Sequence, residues 1–336
     1  MSERRTESSI TVESCLPEDW SEVDERQEVH HDIRRAFTRR PIVLAPKWLY
    51  DDHGSDLFDQ ITRLAEYYPT EAERSILSAR ADEIAAVTGA DTIVELGSGT
   101  SDKTRTLLDA FYKRGQLGLF VPLDVSEGTL VDAAEMLAAR YDGLGVHALV
   151  GDFTRHLSHL PERGRRMVAF LGGTIGNFFV EERRAFLEAV ARQLCDDEWL
   201  LLGVDLIKPL DRVLTAYNDE QGLTERFIKN SLAVLNARLD ADFDLDVFDY
   251  VPFWDGREER VDMRLRASEP TQVRIGALDL DVSLEAGEEI RVEISTKFRA
   301  ELLVAEMAEV GLSVEKSWTD ERGDFGLILA RRSGEY

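Results

Sequence analysis

A glycine-containing turn between a predicted strand and a predicted helix is the first feature that could perform chemistry. Residues 92–96 form a short apolar strand, and Gly97-Ser98-Gly99 follows it before a helix at about 104–111. Glycine lets the backbone turn tightly and approach a ligand, and the first turn of the helix offers N–H groups without helical partners. Such a turn also occurs as a purely structural feature, so other residues must identify a ligand.

Acidic residues stand at the ends of the next two predicted strands. Asp124 ends one strand, where its carboxylate could accept hydrogen bonds from both hydroxyls of a ribose. Gly151-Asp152-Phe153 ends the following strand, where a carboxylate and a ring could hold an adenine. Each of these could be an ordinary strand-end or capping residue. Because the carboxyl ends of parallel strands meet at one edge of a sheet, together they predict an adenosine pocket there.

The residues around the turn favour S-adenosylmethionine over NAD. A dinucleotide fingerprint has a third glycine, and Asp102 stands at that position. Glu95 precedes the first glycine, which is unfavourable beside a pyrophosphate but suits the cationic amine of an amino-acid tail. Lys103 could pair with the carboxylate of the same tail, although a surface lysine would look the same in the sequence. An NAD-dependent oxidoreductase remains the rival interpretation.

Histidine and cysteine give no further site. His156 and His159 could share a helical face, but no third ligand is evident, so we interpret them as a surface pair and expect no metal. Cys15 and Cys195 are isolated, which argues against a disulfide scaffold or a zinc–thiolate site and favours a reducing compartment. No Ser-His-Asp or Cys-His arrangement indicates a nucleophile.

The pattern of elements indicates how these residues are positioned. Strands and helices alternate from about residue 81 to 207, which predicts a parallel sheet with helices on both faces. Residues 208–240 then have a helical pattern, and residues 245–293 are strand-like with Asp255-Gly256 as a turn. A helix at 298–310 and two further strands resume the α/β pattern. The sequence therefore predicts an α/β domain interrupted by an insert.

Composition limits the possible partners. The chain has 336 residues, with 40 Lys and Arg against 65 Asp and Glu, and a formal charge of −25. Such a charge repels nucleic acids and anionic membranes but is compatible with a small zwitterionic substrate. The N-terminus has no apolar signal core, and no run is long enough to span a membrane. We therefore expect a cytoplasmic monomer that binds a small molecule and neither nucleic acid nor membrane.

Several long stretches resemble the histidine-specific methyltransferases of ergothioneine biosynthesis, which are S-adenosylmethionine-dependent and form hercynine, Nα,Nα,Nα-trimethylhistidine. The resemblance runs from about residue 32 to 332, and one departure is Gly173, where a serine is expected; we expect this change to spare the loop. The stretches that carry it are Lys47-Trp48-Leu49-Tyr50-Asp51, Gly54-Ser55-Asp56-Leu57-Phe58-Asp59, Glu66-Tyr67-Tyr68-Pro69-Thr70, Glu95-Leu96-Gly97-Ser98-Gly99-Thr100, Phe170-Leu171-Gly172-Gly173-Thr174-Ile175-Gly176-Asn177, Asp242-Phe243-Asp244-Leu245-Asp246 and Glu293-Ile294-Ser295-Thr296-Lys297-Phe298-Arg299.

The resemblance implies a role for each matching position. The residues implied to contact S-adenosylmethionine are Tyr50, Gly97, Lys103, Asp124, Asp152 and Phe153. The residues implied to hold the amine and carboxylate of histidine are Tyr67, Asn177 and Tyr217. Glu293 and Ser295 are implied to bind the imidazole, with Met263 lining that end of the pocket. Of these, Asn177 and Tyr50 are the catalytic candidates, and no residue type or spacing identifies the group that accepts the proton of the amine.

We therefore expect a class I, Rossmann-like methyltransferase with a seven-stranded sheet and an inserted α+β substrate-binding domain. The expected divisions are a flexible acidic tail at 1–30, in which only Leu16 and Trp20 could dock, a substrate-binding domain at 31–71 and 208–296, and a methyltransferase domain at 72–207 and 297–336. The expected reaction is transfer of three methyl groups to the α-amino group of L-histidine. Two alternatives are the same reaction on another aromatic amino acid such as tryptophan and a non-catalytic S-adenosylmethionine-binding protein.

Overall fold

The chain divides into two units. A computed structural model describes residues 9–17, 22–99, 101 and 103–333. Unit 1 consists of Met1–Glu18, Glu71–Leu206 and Phe298–Tyr336, and unit 2 consists of Asp19–Thr70 and Ile207–Lys297. The chain passes from one unit to the other at residues 70–71, 206–207 and 297–298, and the assignment of substrate binding to one unit stays a prediction.

The described residues form helices and strands along most of the chain. The strands are β1 (Ser9–Ser14), β2 (Ile42–Val43), β3 (Thr92–Leu96), β4 (Leu119–Asp124), β5 (Gly145–Val150), β6 (Arg166–Phe170), β7 (Trp199–Asp205), β8 (Phe248–Asp255), β9 (Arg260–Ala267), β10 (Thr271–Ile275), β11 (Leu280–Leu284), β12 (Glu289–Thr296), β13 (Leu312–Thr319) and β14 (Phe325–Arg332). The α-helices are α1 (Glu22–Phe37), α2 (Asp52–Ile61), α3 (Tyr68–Thr88), α4 (Thr104–Lys113), α5 (Glu127–Arg140), α6 (Val180–Gln193), α7 (Leu210–Ala216), α8 (Leu223–Leu239) and α9 (Ala300–Glu309).

Unit 1 is built on one sheet in the order β1-β5-β4-β3-β6-β7-β14-β13. The pairs from β1 to β7 are parallel, whereas β14 is antiparallel to both β7 and β13. Without β1, this is the strand order of class I methyltransferases, so the expected fold class is confirmed. The predicted interruption is also present, because Leu206 and Phe298, which flank the inserted segment, bridge each other in unit 1.

Successive side chains of these strands fill two hydrophobic cores, because the side chains of a strand alternate between the faces of a sheet. Val94 and Leu96 belong to a core with Phe186 of α6 and Met307 of α9. Ile93 belongs to the other core, to which α3, α4 and α5 contribute. The sheet is therefore covered on both faces, and polar side chains at its carboxyl edge are held on a rigid base.

The N-terminal segment corrects two expectations. Ser9–Ser14 is not part of a loose tail but a strand that pairs with β5, so the sheet has eight strands rather than seven. Cys15 continues this pairing by donating its N–H to the Val150 carbonyl, and its side chain is buried. Leu16 is exposed, and Trp20 lies outside the described residues. Residues 22–30, also assigned to the tail, form the first part of α1.

Unit 2 combines a four-stranded sheet, in the order β2-β12-β9-β8, with the hairpin β10-β11 and the helices α1, α2, α7 and α8. The predicted turn at Asp255-Gly256 connects β8 to β9. The expected helical stretch 208–240 forms two helices rather than one. The second helix begins directly after Gly222, where a φ of +66° favours glycine. One core joins α8 to the sheet through residues such as Ile228, Leu232 and Leu265.

None of the helices within the described ranges has the length and apolar character needed to cross a membrane.

Candidate active site

The glycine turn lies at the carboxyl end of the central strand β3, as predicted. Gly97 has a φ of +67°, and its N–H donates to the Leu123 carbonyl at the end of β4. A Cβ at this position would lie 3.3 Å from the ring of Phe153, so the aromatic side chain that follows β5 lies directly against the turn. The sheet therefore brings together residues from three strand ends, although Thr100 and Asp102 of the motif lie outside the described residues.

Asp124 is attached to the same turn. One carboxylate oxygen accepts the Gly99 N–H at 2.9 Å, and the other accepts the Ser126 N–H at 3.1 Å. These bonds fix the carboxylate at the end of β4 while the residue remains half-buried. Its position is suited to accepting hydrogen bonds from vicinal hydroxyls of a bound nucleoside.

Asp152 is oriented by its own loop. Its carboxylate accepts bonds from the Thr154 N–H and hydroxyl at 2.8 and 2.6 Å, and its N–H donates to Nδ1 of His156 at 2.9 Å. His156 is therefore a support of this loop rather than only half of a surface histidine pair. In the described part of the chain, no cluster of histidine, cysteine and acidic side chains has a geometry that could hold a metal ion.

Glu95 is a buried carboxyl group beneath the turn. Its side chain is 4% exposed, and the Thr104 hydroxyl donates to one of its oxygens. Burial raises the pKa of Glu95 to about 8. Its other oxygen, and the buried hydroxyls of Ser98 and Ser101, meet no hydrogen-bond partner of ordinary geometry within the described residues. This group of polar atoms is suited to a cationic ligand group with several N–H donors.

Lys103 forms an ion pair with Glu73, a residue that the sequence did not reveal as part of the site. Its ammonium donates at 2.5 Å to Glu73 of α3, whose side chain is fully buried. The Glu73 carboxylate also accepts the Gly172 N–H at 2.8 and 3.0 Å, so it links the turn after β3 to the loop after β6. No sequence signal distinguishes Glu73 from the exposed acidic residues common in helices.

Asn177 follows β6 in unit 1. It is the last residue of a short 3-10 helix, Thr174–Asn177, and is half-buried. Gly173 precedes this helix with a φ of +71°, and a Cβ there would lie 3.3 Å from Phe325. Glycine therefore fits this loop better than the serine that the resemblance leads one to expect. The loop positions Asn177 at the same edge of the sheet as the glycine turn.

In unit 2, Tyr217, Ser295 and Lys297 form a buried hydrogen-bonded triangle. The hydroxyls of Tyr217 and Ser295 are 2.8 Å apart, and the Lys297 ammonium donates to them at 2.8 and 2.6 Å respectively. The carbonyl of Tyr217 accepts the hydroxyl of Tyr250 at 2.7 Å. Two predicted substrate-binding residues are thus in direct contact, and both are held by a lysine to which the sequence analysis gave no role.

Glu293 and Met263 lie opposite each other on β12 and β9. They are 7% and 2% exposed, so the carboxyl group of Glu293 is largely removed from water. Burial raises the pKa of Glu293 to about 8, although the positive charge of Lys297 acts in the opposite direction. Such a carboxyl is suited to a ligand that shares a proton with it.

The two other predicted tyrosines belong to an aromatic group in unit 2. The ring of Tyr50 packs edge-on against Phe58 and Phe227, with centroids 5.8 and 5.4 Å apart. Tyr67 contacts Phe58 and Tyr217 in the same way, at 6.3 and 6.1 Å. Tyr67 therefore lies beside the hydrogen-bonded triangle, whereas Tyr50 is held by the neighbouring phenylalanines.

The chain matches the sequence model of a known protein family. Residues 29–332 match the model of the family described as histidine-specific methyltransferase, SAM-dependent. The chain belongs to this family. Membership in the histidine-specific methyltransferase family confirms the resemblance seen in the sequence, and the match includes both units and every predicted site residue.

Relatives of this methyltransferase have closely similar sequences. Histidine N-alpha-methyltransferase of Mycolicibacterium smegmatis is 51% identical over 91% of this chain and 95% of its own. Histidine N-alpha-methyltransferase of Mycobacterium tuberculosis is 48% identical over 96% of this chain and 99% of its own. Ergothioneine biosynthesis protein 1 of Schizosaccharomyces pombe is 37% identical over 56% of this chain, which corresponds to 26% of that larger protein.

The glycine turn fits the methyl donor of this family. S-adenosylmethionine combines an adenosine with an amino-acid tail that carries an ammonium and a carboxylate. Asp124 and Asp152 supply acceptors at the ends of β4 and β5. The second oxygen of Glu95, which accepts no hydrogen bond of ordinary geometry from the described residues, suits the ammonium. Glu95, which the resemblance did not include among the cofactor residues, is therefore a candidate contact suggested by the structure.

Proposed function

We propose that this enzyme transfers three methyl groups from S-adenosylmethionine to the α-amino group of L-histidine and forms hercynine, the first step of ergothioneine biosynthesis. The observation that carries the proposal is Glu293, a buried carboxyl on the strand that also carries Ser295, in a chain that shares about half its residues with proteins named histidine N-alpha-methyltransferase. The related protein named for ergothioneine biosynthesis supports the pathway.

Unit 1 would bind the methyl donor. Asp124 would accept both ribose hydroxyls, and Asp152 with Phe153 would hold the adenine. Gly97 would allow close approach of the backbone, and Lys103 would pair with the tail carboxylate while Glu73 restrains its ammonium. When bound, S-adenosylmethionine supplies an activated methyl group, so the protein's main contribution is to position the acceptor.

Unit 2 would bind histidine. Tyr67 and Tyr217 would hold the amine and carboxylate, and Glu293 with Ser295 would bind the imidazole, with Met263 against its ring. A phenol is neutral near pH 7, so it can bind an amine without stabilising the ammonium form as a carboxylate would. Asn177 and Tyr50 keep the catalytic roles implied by the resemblance, which are to aim the amine and to contact the methyl donor.

Proton release accompanies the proposed chemistry. Histidine begins with an ammonium group that carries three protons, and hercynine ends with a nitrogen that carries three methyl groups and the same positive charge. Three protons must therefore leave, one before each transfer, since only a nitrogen lone pair can attack the methyl carbon. Neutral tyrosine hydroxyls and water can carry these protons away.

A screen of the twenty free amino acids with S-adenosylmethionine, read by mass spectrometry, tests the proposed reaction. We expect trimethylation of histidine to exceed all other products. Methylation mainly of tryptophan or another aromatic amino acid would replace histidine as the substrate. Cofactor binding without any product would favour a non-catalytic protein, and NAD-dependent oxidation would favour the oxidoreductase interpretation.

Substrate choice gives a sharper test. Glu293→Ala should lower kcat/KM for histidine by about ten- to a hundredfold, because a hydrogen bond to a charged group contributes about 1.5–3 kcal/mol. The preference for histidine over tryptophan should also shrink, because the substitution removes the group proposed to select the imidazole. Adding Met263→Val should enlarge the space for an indole. A histidine-to-tryptophan ratio that stays constant in wild type, single and double variants would contradict the role of Glu293.

We further propose that the enzyme acts as a monomer in the cytoplasm. Both cysteines are free thiols, which is compatible with a reducing compartment. Light scattering of the purified protein and fractionation of the producing cells test the two parts of this proposal separately.

A further inference from the structure

Lys297 is an unusual residue to find in the core of unit 2. Its side chain is 1% exposed, and lysine is seldom buried to this degree unless its ammonium has polar partners. The ammonium donates to the hydroxyls of Tyr217 and Ser295 and also lies 4.5 Å from the centroid of the Tyr217 ring. Its burial is therefore linked to two residues proposed to bind histidine.

The chemistry of an ammonium determines what these hydroxyls can do. An ammonium has three donor hydrogens and no acceptor, so both hydroxyl oxygens must accept from Lys297. Tyr217 and Ser295 also bond to each other, so one of these two oxygens accepts a second hydrogen. Acceptance from a cation polarises a hydroxyl and makes it a stronger donor. The hydrogen of one hydroxyl is used within the triangle, so Lys297 leaves the other hydroxyl, polarised, to donate its hydrogen to a ligand.

Lys297, which directly follows the strand of Glu293, also acts on this carboxyl by partly opposing the effect of burial on its pKa. The other titratable side chains near this carboxyl come from neighbouring elements. Tyr250 of β8 has a pKa raised well above its usual value, by burial first and then by the charges of Glu293, Tyr217, Asp219 and Glu225. For Glu293 itself, burial and the positive charge of Lys297 are the two effects on its pKa, and they act in opposite directions.

We propose that Lys297 is a positioning residue for histidine: its buried ammonium orients the Tyr217 and Ser295 hydroxyls, so that one of them donates to the ligand, and it favours the ionised form of Glu293 when the imidazole binds. The inference rests on the proposed function, since it assigns the supporting group of the imidazole-binding end. Lys297 does not touch the reacting atoms. Its removal should weaken histidine binding and leave the binding of the methyl donor in unit 1 unchanged.

The variants Lys297→Met and Lys297→Gln test this role. The first removes both charge and donors, and the second removes the charge but keeps donors. Lys229→Met is the matched control, since Lys229 also lies in unit 2 but forms an ion pair with Glu225 along α8. Histidine KM, kcat, S-adenosylmethionine affinity and melting temperature are measured for each. We expect Lys297→Met to raise the histidine KM at least about tenfold, with cofactor affinity within twofold of wild type.

Two further measurements separate positioning from a general structural role. Deaminohistidine is a histidine analogue without the α-amine, and its affinity is measured by calorimetry at a series of pH values. Because the amine is missing, the pH dependence reflects only the imidazole, the carboxylate of the ligand and the residues of the site. In the wild type, we expect this affinity to change with a midpoint near pH 8, which is the pKa of Glu293. In both Lys297 variants the midpoint should move to higher pH, because the positive charge that favours the ionised carboxylate is gone. Ser295→Ala combined with Lys297→Met should lose less affinity than the product of the single losses, as expected for residues in one network.

The outcomes distinguish this inference from the proposed function. Wild-type enzyme that does not methylate histidine contradicts the proposed function, whatever the variants do. Wild-type activity with a Lys297→Met histidine KM no higher than that of Lys229→Met contradicts only the role of Lys297. Equal losses of histidine and cofactor affinity, with independent effects of Ser295 and Lys297, would make Lys297 a structural residue. If Lys297→Met does not fold, the pH midpoint of deaminohistidine affinity is compared between Lys297→Gln and the wild type. An unchanged midpoint overturns the proposal.

Discussion

The pH dependence of cofactor binding provides a quantitative test of the site in unit 1. Glu95 is buried beneath the glycine turn, and its pKa is raised to about 8. If its free oxygen receives the ammonium of S-adenosylmethionine, the carboxyl must be ionised in the complex. Binding near neutral pH therefore releases the proton that Glu95 carries in the free enzyme.

The size of the effect follows from this pKa. Each pH unit below a pKa of about 8 costs about 1.4 kcal/mol, or a factor of about ten, to remove the proton. The affinity for S-adenosylmethionine should thus be about tenfold lower at about pH 7, and about a hundredfold lower at about pH 6, than for enzyme in which Glu95 is already ionised. The α-amine of the ligand itself loses its proton near pH 7.7–8.0, so the window from about pH 5.5 to 7.5 isolates Glu95.

Isothermal titration calorimetry over this window measures the effect directly. Methylthioadenosine is a matched control ligand because it keeps the nucleoside but lacks the amino-acid tail, and its affinity should not follow Glu95. The variant Glu95→Gln should bind S-adenosylmethionine with little pH dependence. The reasoning is refuted if wild-type affinity for S-adenosylmethionine is flat across the window, or if methylthioadenosine shows the same slope.

Three further substitutions test other parts of the site. Asp124→Ala should weaken S-adenosylmethionine binding by roughly 1.5–3 kcal/mol, through loss of a charged acceptor; unchanged affinity in calorimetry would exclude the ribose role. Asn177→Ala should lower kcat/KM for histidine more than about tenfold while cofactor affinity holds; an equal loss of cofactor binding would make Asn177 a structural cap. Gly173→Ser should lower the melting temperature, because its φ of +71° and the 3.3 Å approach of Phe325 both disfavour a side chain; an unchanged melting temperature would show that the loop adjusts.

The sheet and its glycine turn could be predicted because their signals are local. Apolar runs of strand length alternate with helical patterns, and glycines and acidic residues mark the strand ends that form one edge. Asp124 and Phe153 lie near the turn for this reason, since strand order alone brings them together. The same pattern predicted an adenosine pocket at this edge, and the resemblance then assigned each residue to S-adenosylmethionine, because these residue types also occur at ordinary strand ends.

The elements that could not be predicted are held by interactions without a sequence pattern. Ser9–Ser14 is exposed along its whole length, including Ile10 and Val12, and it joins the sheet through backbone pairing with β5 rather than by burying an apolar face. Glu73 resembles the surface acidic residues of a helix, yet it is buried against Lys103 and the Gly172 N–H. Burial of a charged side chain depends on distant partners, which a linear sequence does not show.

Glu95 and Glu293 indicate a shared principle of ligand binding. Each is a buried carboxyl whose pKa is raised to about 8, in units that are separate in the fold. Both proposed ligands are amino acids with nitrogen groups that carry or share protons. A buried carboxyl that retains its proton in the free enzyme avoids the cost of an isolated charge, and a nitrogen ligand can then ionise it or share that proton.

Selectivity for a nitrogen ligand follows, because an apolar analogue offers the carboxyl no hydrogen-bond donor. The strongly negative surface of the chain cannot provide this discrimination, since it attracts any cation, whereas a buried carboxyl requires a donor at one fixed position.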